Sequence, residues 1–267
     1  MTVAKRVDGH VATLVIDRPA ALNALDIATL RSLREHLAEA RDNRQIRAIV
    51  LTGSGDRAFC VGADLKGTAA SPATYAEAFF HAKDEAADLG LYIRLMDLAD
   101  LGLCKPMIAA INGHCLGGGL ELALQCDIRI ASHSASFGLP EAMVGSVPAV
   151  SGLHRLLKAI PSAAAMQMAL TGERIQAGQA LGWGLVSETT APDALLARAT
   201  AIASKIAANA PLAVQAVKKL STQTAHLSDA DAQQLTELYW GVLRDTDDRR
   251  EGRLAFAQKR SPLYTGR

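Results

Sequence analysis

Three consecutive glycines, Gly117-Gly118-Gly119, interrupt an otherwise apolar stretch and restrict what this chain of 267 residues can build. Glycine loses more backbone freedom on folding than any other residue, so a run of three needs a local reason. Before the run, Lys105-Pro106-Met107-Ile108-Ala109-Ala110-Ile111 stops at the turn pair Asn112-Gly113, which is the pattern of a buried strand feeding a tight bend. After it, Leu120-Glu121-Leu122-Ala123-Leu124 has helical spacing. The glycines therefore read as a helix start whose first amides have no partner within the helix and carry the positive end of its dipole towards a ligand. Close-packing turns are the plainer alternative. Glu121 falls among leucines and alanines, a poor setting for an idle ionised side chain. A second carboxylate, Glu141, follows twenty positions later in Phe137-Gly138-Leu139-Pro140-Glu141. An exposed, inert glutamate is the ordinary reading of either residue alone. Two carboxylates confined in one apolar pocket, however, raise each other's proton affinity and can divide acid and base work.

The remaining signals narrow the class. With 28 Lys and Arg against 27 acidic residues the net charge is +1, which gives no general attraction for nucleic acid or membrane, so recognition of an anion has to be local. The four cysteines, Cys60, Cys104, Cys115 and Cys126, form no CxxC pair, and a disulfide framework is not expected. Residues 1–10 lack the apolar core of a secretory signal, and no run approaches the ~20 apolar residues of a membrane span. A cytoplasmic protein is expected. The seven histidines form no metal-ligand pair, so no metal site is expected, and His114, His133 and His154 read as structural. Gly53-Ser54-Gly55-Asp56-Arg57-Ala58 fits a dinucleotide fingerprint in spacing, but Phe59 to Asp64 do not open the amphipathic helix that the mechanism requires. The absence of a GxSxG elbow argues against a serine hydrolase.

Strand and helix alternate along the first two thirds of the chain. Val11–Ile16, Ile46–Thr52 and Asp127–Ser132 read as strands, and Asp26 can cap a helix carrying Leu30, Leu33 and Leu37 on one face. A helix-like stretch spans Thr74 to about Leu98; it is either a lid or an ordinary surface helix. The alternation predicts an α/β fold. Beyond Ser151 strand signals fade, and helices are predicted over Ser162–Leu170, Gln176–Leu181, Asp193–Ala208, Leu212–Ser221 and Asp229–Leu243. The division expected is an α/β core over 1–195 followed by a helical region over 196–267.

These features together resemble the enoyl-CoA hydratase/isomerase, or crotonase, family. The likeness extends to Arg18-Pro19 with Asn23-Ala24-Leu25, to Ala58-Phe59-Cys60-Val61-Gly62-Ala63-Asp64-Leu65-Lys66, to Leu170-Thr171-Gly172-Glu173, to Gly184-Leu185-Val186, and to a tail running Glu251 to Arg260. It covers nearly the whole chain. The resemblance implies a spiral of β-β-α units, with the C-terminal helices serving to assemble homotrimers or dimers of trimers. It implies an acyl-CoA thioester substrate, coenzyme A being part of that substrate, and no separate cofactor.

Residue by residue, the resemblance makes Glu121 and Glu141 the catalytic carboxylates and the amides of Ala63 and Gly118 an oxyanion pair. Ala63, Asp64, Leu65 and Lys66 would line the pantetheine and nucleotide path, Lys66 lying near the phosphates or simply in solvent. Phe256, Lys259 and Arg260 would reach the nucleotide end, often on a neighbouring subunit. Isomerases of the family often keep only the carboxylate at the Glu141 position, so the presence of both points to a hydratase. A Δ3,Δ2-enoyl-CoA isomerase or another crotonase-type lyase is the alternative, ahead of a non-catalytic scaffold. One departure stands out. Where the family commonly has GxGGTxRL, this chain has Pro148-Ala149-Val150-Ser151-Gly152-Leu153-His154-Arg155-Leu156. Val150 and Leu153 are bulkier than that pattern, which bears on the acyl pocket and the water position.

Overall fold

The computed structural model describes residues 2–64 and 74–267. Among them, a six-stranded sheet is built from β1 (Val3–Asp8), β2 (Val11–Ile16), β3 (Ala48–Gly53), β5 (Met107–Ile111), β7 (Ile128–Ser132) and β10 (Glu188–Thr190), adjacent in that order. A smaller sheet has β4 (Ala58–Cys60), β6 (His114–Leu116), β8 (Ser136–Gly138) and β9 (Ile175–Gln176). The strands come in successive pairs, β3 with β4, β5 with β6, β7 with β8. In each pair the first joins the large sheet and the second the small one. Both sheets are parallel through this repeat, and parallel neighbours need crossovers. The chain thus winds as a spiral of β-β-α units. The segment after Gly53 leads into strand β4 and not into a helix, so the dinucleotide spacing there has none of the structure it would need.

The large sheet is covered on both faces, which is why β3 reads as an unbroken apolar run. On one face Leu14, Ile16, Ile49 and Leu51 pack with Leu30, Leu33 and Leu37 of α1 (Ile27–Asp42). Asp26 caps that helix by accepting the Thr29 amide at 2.7 Å. On the other face Val11, Ala48, Val50, Ile108 and Ala110 meet Leu195, Ala199, Ala203 and Ala207. Those four recur every fourth residue along α8 (Leu195–Ala207) and make a stripe that lets helix and sheet approach closely.

Three sequence expectations change. First, α8, the first of the C-terminal helices expected to serve assembly, packs inward: Leu195 is buried and Ile202 and Ile206 are partly buried against the chain's own sheet, while Leu196 is substantially exposed. Within the C-terminal helices further exposed apolar residues lie on α9 (Pro211–Gln223), α10 (Asp229–Arg244) and α11 (Asp247–Ala257), at Val217, Leu238, Trp240, Val242, Leu254 and Phe256. Second, the stretch 74–98 is not one helix. It breaks into α2 (Tyr75–Phe79), α3 (Lys83–Ala86), a π turn containing Gly90 at φ +96° and a 3-10 turn over Tyr92–Met96. Ion pairs set its course by tying the pieces to α1 and to one another: Arg31 with Asp84 and Asp88, Arg34 with Asp100, Lys83 with Asp97 and Asp100. Third, β10 and α11 had no apolar signal to reveal them. The first is a short polar strand paired with β7, and the second begins with a run of charged residues.

Candidate active site

The site is assembled where the two sheets separate. Residue 25 pairs with residue 63 as an isolated parallel bridge: the Leu25 amide donates to the Gly62 carbonyl at 2.8 Å and the Asp64 amide to the Leu25 carbonyl at 3.0 Å. The intervening Ala63 N–H is turned away from that bridge. Among the described residues neither it nor the Gly118 N–H has an acceptor. Gly118 is the first residue of α4 (Gly118–Ala123), so its amide has none within the helix. The two segments touch. Gly62 has φ +94°, and a Cβ there would lie 2.8 Å from the Gly118 nitrogen, so glycine is required both for the turn and for the approach. Two preorganised, non-titrating donors side by side are what a developing oxyanion needs.

Glu121 sits one turn into α4 and is 1% exposed. Its Oε1 accepts from the Val150 amide at 2.7 Å and the Gly152 amide at 2.9 Å, while Oε2 has no partner among the described residues. Burial pushes its pKa up, against the two amides that pull it down. The two donors converge because Ser151 between them is left-handed, at φ +61°. The departure from the family's glycine pattern therefore falls on the loop that holds a carboxylate, and the bulk of Val150 is absorbed in the main core. Glu141 opens a 3-10 turn, Glu141–Val144. Its Oε2 is buried and has no partner among the described residues, and a Cβ on Gly117 would lie 3.1 Å from its Oε1. Burial foremost, and also the Glu121 charge, push its pKa from 4.5 to about 6 against its own backbone amide. Burial thus raises the proton affinity of both carboxylates, while their oxygens are solvated differently, an arrangement able to exchange protons with a substrate.

The structure brings Ala63, Asp64, Gly118, Glu121 and Glu141 together. The Asp64 carboxylate pairs with Arg18 at 2.8 Å. Leu65 and Lys66 lie outside the described residues. Phe256 is elsewhere, on a groove of about 620 Å³ lined also by Trp240, Leu243, Arg253 and Tyr264. Lys259 is exposed beyond the end of α11. Arg260 is engaged within its own chain by Glu251, at 2.6 and 2.8 Å, and this pairing holds the Glu251 pKa down to about 2. Of the three histidines read as structural, His114 bonds Ser136 at 2.8 Å, whereas His133 and His154 are exposed. No cluster of three or more His, Cys, Asp or Glu suited to a metal occurs among the described residues. No helix among them is long and apolar enough to cross a membrane.

Sequence reasoning missed two kinds of contributor. The Val150 and Gly152 amides carry no side-chain signature. Gln125 was overlooked because a glutamine at the end of a helix is unremarkable in sequence. Its side chain accepts the Leu98 amide at 2.9 Å and donates to the Met96 carbonyl at 3.0 Å, latching the excursion onto α4. Met96 is thereby pressed on the start of α4, and a Cβ on Gly118 would lie 2.3 Å from its Cε.

Fold and site together define a protein of the crotonase class. The family model described as enoyl-CoA hydratase/isomerase matches residues 6–267, and the chain belongs to that family. It is 44% identical over 266 residues to (E)-benzylidenesuccinyl-CoA hydratase of Thauera aromatica, covering 100% of both chains. It is 41% identical to carnitinyl-CoA dehydratase of Proteus mirabilis, over 97% of this chain and 96% of that one. Among solved structures, an enoyl-CoA hydratase from Bacillus anthracis superposes with a TM-score of 0.91 at 34% identity, covering 100% of each chain.

Proposed function

We propose that the protein is an enoyl-CoA hydratase, adding water across the α,β double bond of an enoyl-CoA thioester to give a 3-hydroxyacyl-CoA. Family membership and the hydratase and dehydratase relatives support the coarser statement, hydro-lyase chemistry on CoA thioesters. The observation that carries the finer one is the unlike solvation of two neighbouring glutamates: Glu121 anchored by two amides through one oxygen, Glu141 with a buried oxygen that has no partner among the described residues.

In this mechanism the thioester oxygen lies against the Ala63 and Gly118 amides. Glu121 Oε2 takes a proton from water as the water oxygen bonds to the β-carbon. The double-bond electrons move towards the thioester, and Glu141 delivers its proton to the α-carbon. The pair starts and ends with one proton between its members, so no net proton is consumed, and the assignment of individual steps belongs to the coupled pair. The amides stabilise the enolate-like charge; losing one such donor typically costs roughly 100- to 1000-fold in rate.

The test is a pair of substitutions assayed with short, branched and aryl 2-enoyl-CoAs. Glu121→Gln and Glu141→Gln are each expected to lower hydration by about 100- to 10,000-fold. The double variant should lose less than about tenfold more, because the two act as a unit. Conversion of a 3-enoyl-CoA without uptake of solvent oxygen, nearly normal in Glu121→Gln and lost in Glu141→Gln, would instead indicate the isomerase, which needs only one proton carrier.

A further inference from the structure

The bridge that aims the Ala63 N–H depends on a strained turn. Leu22 and Asn23 are successive residues in the left-handed region, at φ +52° and +58°, a conformation costly for leucine and easier for asparagine. Asn23 is fully buried, and its amide group donates to the Ala58 carbonyl at 2.7 Å and the Ser54 carbonyl at 3.0 Å. Its Oδ1 accepts the Arg18 amide at 3.0 Å. The turn delivers Leu25 to Ala63, and the side chain of Arg18 then spans the junction. Nη1 donates to the Ala24 carbonyl at 2.5 Å, and Nη2 meets Asp64 Oδ2 at 2.8 Å and Asp26 Oδ2 at 3.1 Å. Those partners are the residues immediately before and after Leu25, and the residue immediately after Ala63. The Arg18 and Asp64 side chains are only 21% and 15% exposed, so solvent and salt screen the contact less than an ordinary surface pair.

We propose that Arg18 is a positioning residue for the oxyanion site: by gripping Ala24, Asp26 and Asp64 at once, it fixes the peptide planes on either side of Ala63 and so the direction of the Ala63 N–H. This rests on the reading of Ala63 as an oxyanion donor. A flat fork with fixed donor directions can hold a carbonyl and two carboxylates together, and an ammonium on a flexible stem cannot reproduce it. Hydrogen-bond strength falls steeply with angle. A tilt of the Ala63 amide would therefore weaken stabilisation of the transition state with little effect on holding the CoA portion.

The experiment compares wild type with Arg18→Lys, Arg18→Gln and Asp64→Asn, using an enoyl-CoA with a 4-dimethylaminophenyl group on the β-carbon, whose absorbance moves to the red when its carbonyl is polarised. Wild type is expected to shift the bound probe. Arg18→Gln is expected to lose most of that shift and to lower kcat by about 10- to 100-fold, a fraction of the cost of removing a donor outright. KM should stay within about threefold, as for an interaction made chiefly in the transition state. Arg18→Lys should recover little. Asp64→Asn, which leaves the Arg18 bonds to Ala24 and Asp26 in place, should give a smaller loss in the same direction and serves as the test if the Arg18 variants fail to fold. Folded variants that keep the full shift and wild-type kcat would overturn the proposal and leave the ion pair a stabilising contact only. A wild type that binds the probe without any shift would instead remove the oxyanion reading of Ala63, and the inference with it.

Discussion

Glu121 and Glu141 are both raised in pKa by burial, yet they are solvated differently, and that difference has a consequence for stability. Between pH 4.5 and about 6 the folded state binds more proton at Glu141 than the unfolded chain does, so stability falls as pH rises through that window and is level above it. Glu141→Gln removes the titration. Its stability relative to wild type is therefore expected to improve from pH 4.5 to pH 7, by about 1 kcal/mol after allowing for partial solvent screening of a partly exposed residue. Melting curves at the two pH values check it, and parallel curves would contradict it. The loss of activity together with a gain in stability is the mark of a group kept for chemistry. Both glutamates were legible in the sequence, Glu121 because it interrupts an apolar face and Glu141 through the resemblance. The amides that anchor Glu121 were not, because backbone donors from a loop, converging through a left-handed Ser151, leave no trace in residue type.

At the scale of elements, what the sequence revealed was what packs on a regular period. β3 and α8 could be read because each buries a repeating face against its neighbour. The excursion over 74–98 could not, since it is broken at left-handed Gly90 and tied to α1 by charged pairs that a helical period does not show. Its inner end is held by Gln125, together with Arg34, which donates to the Leu95 and Asp97 carbonyls. Gln125→Leu cuts both bonds and is expected to cost about 1–3 kcal/mol, since partners near the core are left unpaired. Deuterium exchange should then quicken across 92–98 and stay unchanged in β3 and α8. Uniform quickening through the sheet would mean that the latch is not local.

At the scale of the whole molecule, α9, α10 and α11 leave apolar side chains uncovered in the single chain. No residue of α10 is buried, while Leu238, Trp240 and Val242 stand 63%, 55% and 65% exposed. The tail beyond α11 is pinned to the body. The buried Asp248 accepts the Thr265 and Gly266 amides at 2.7 and 2.9 Å, and Arg47 donates to the Tyr264 carbonyl at 2.8 Å. A rigid, apolar helical face of this kind suits self-association, and with the family resemblance we expect trimers, alone or paired. Sedimentation should give three or six times the 28.1 kDa of one chain; a fully active monomer at micromolar concentration would contradict this. The proposed function itself is tested most directly by the origin of the product's oxygen. With a 2-enoyl-CoA in ¹⁸O-labelled water, mass spectrometry should find one solvent oxygen in a 3-hydroxyacyl-CoA, formed by wild type and abolished in Glu121→Gln. Conversion of a 3-enoyl-CoA to its 2-enoyl isomer with no solvent oxygen incorporated, unaffected by Glu121→Gln, would contradict it.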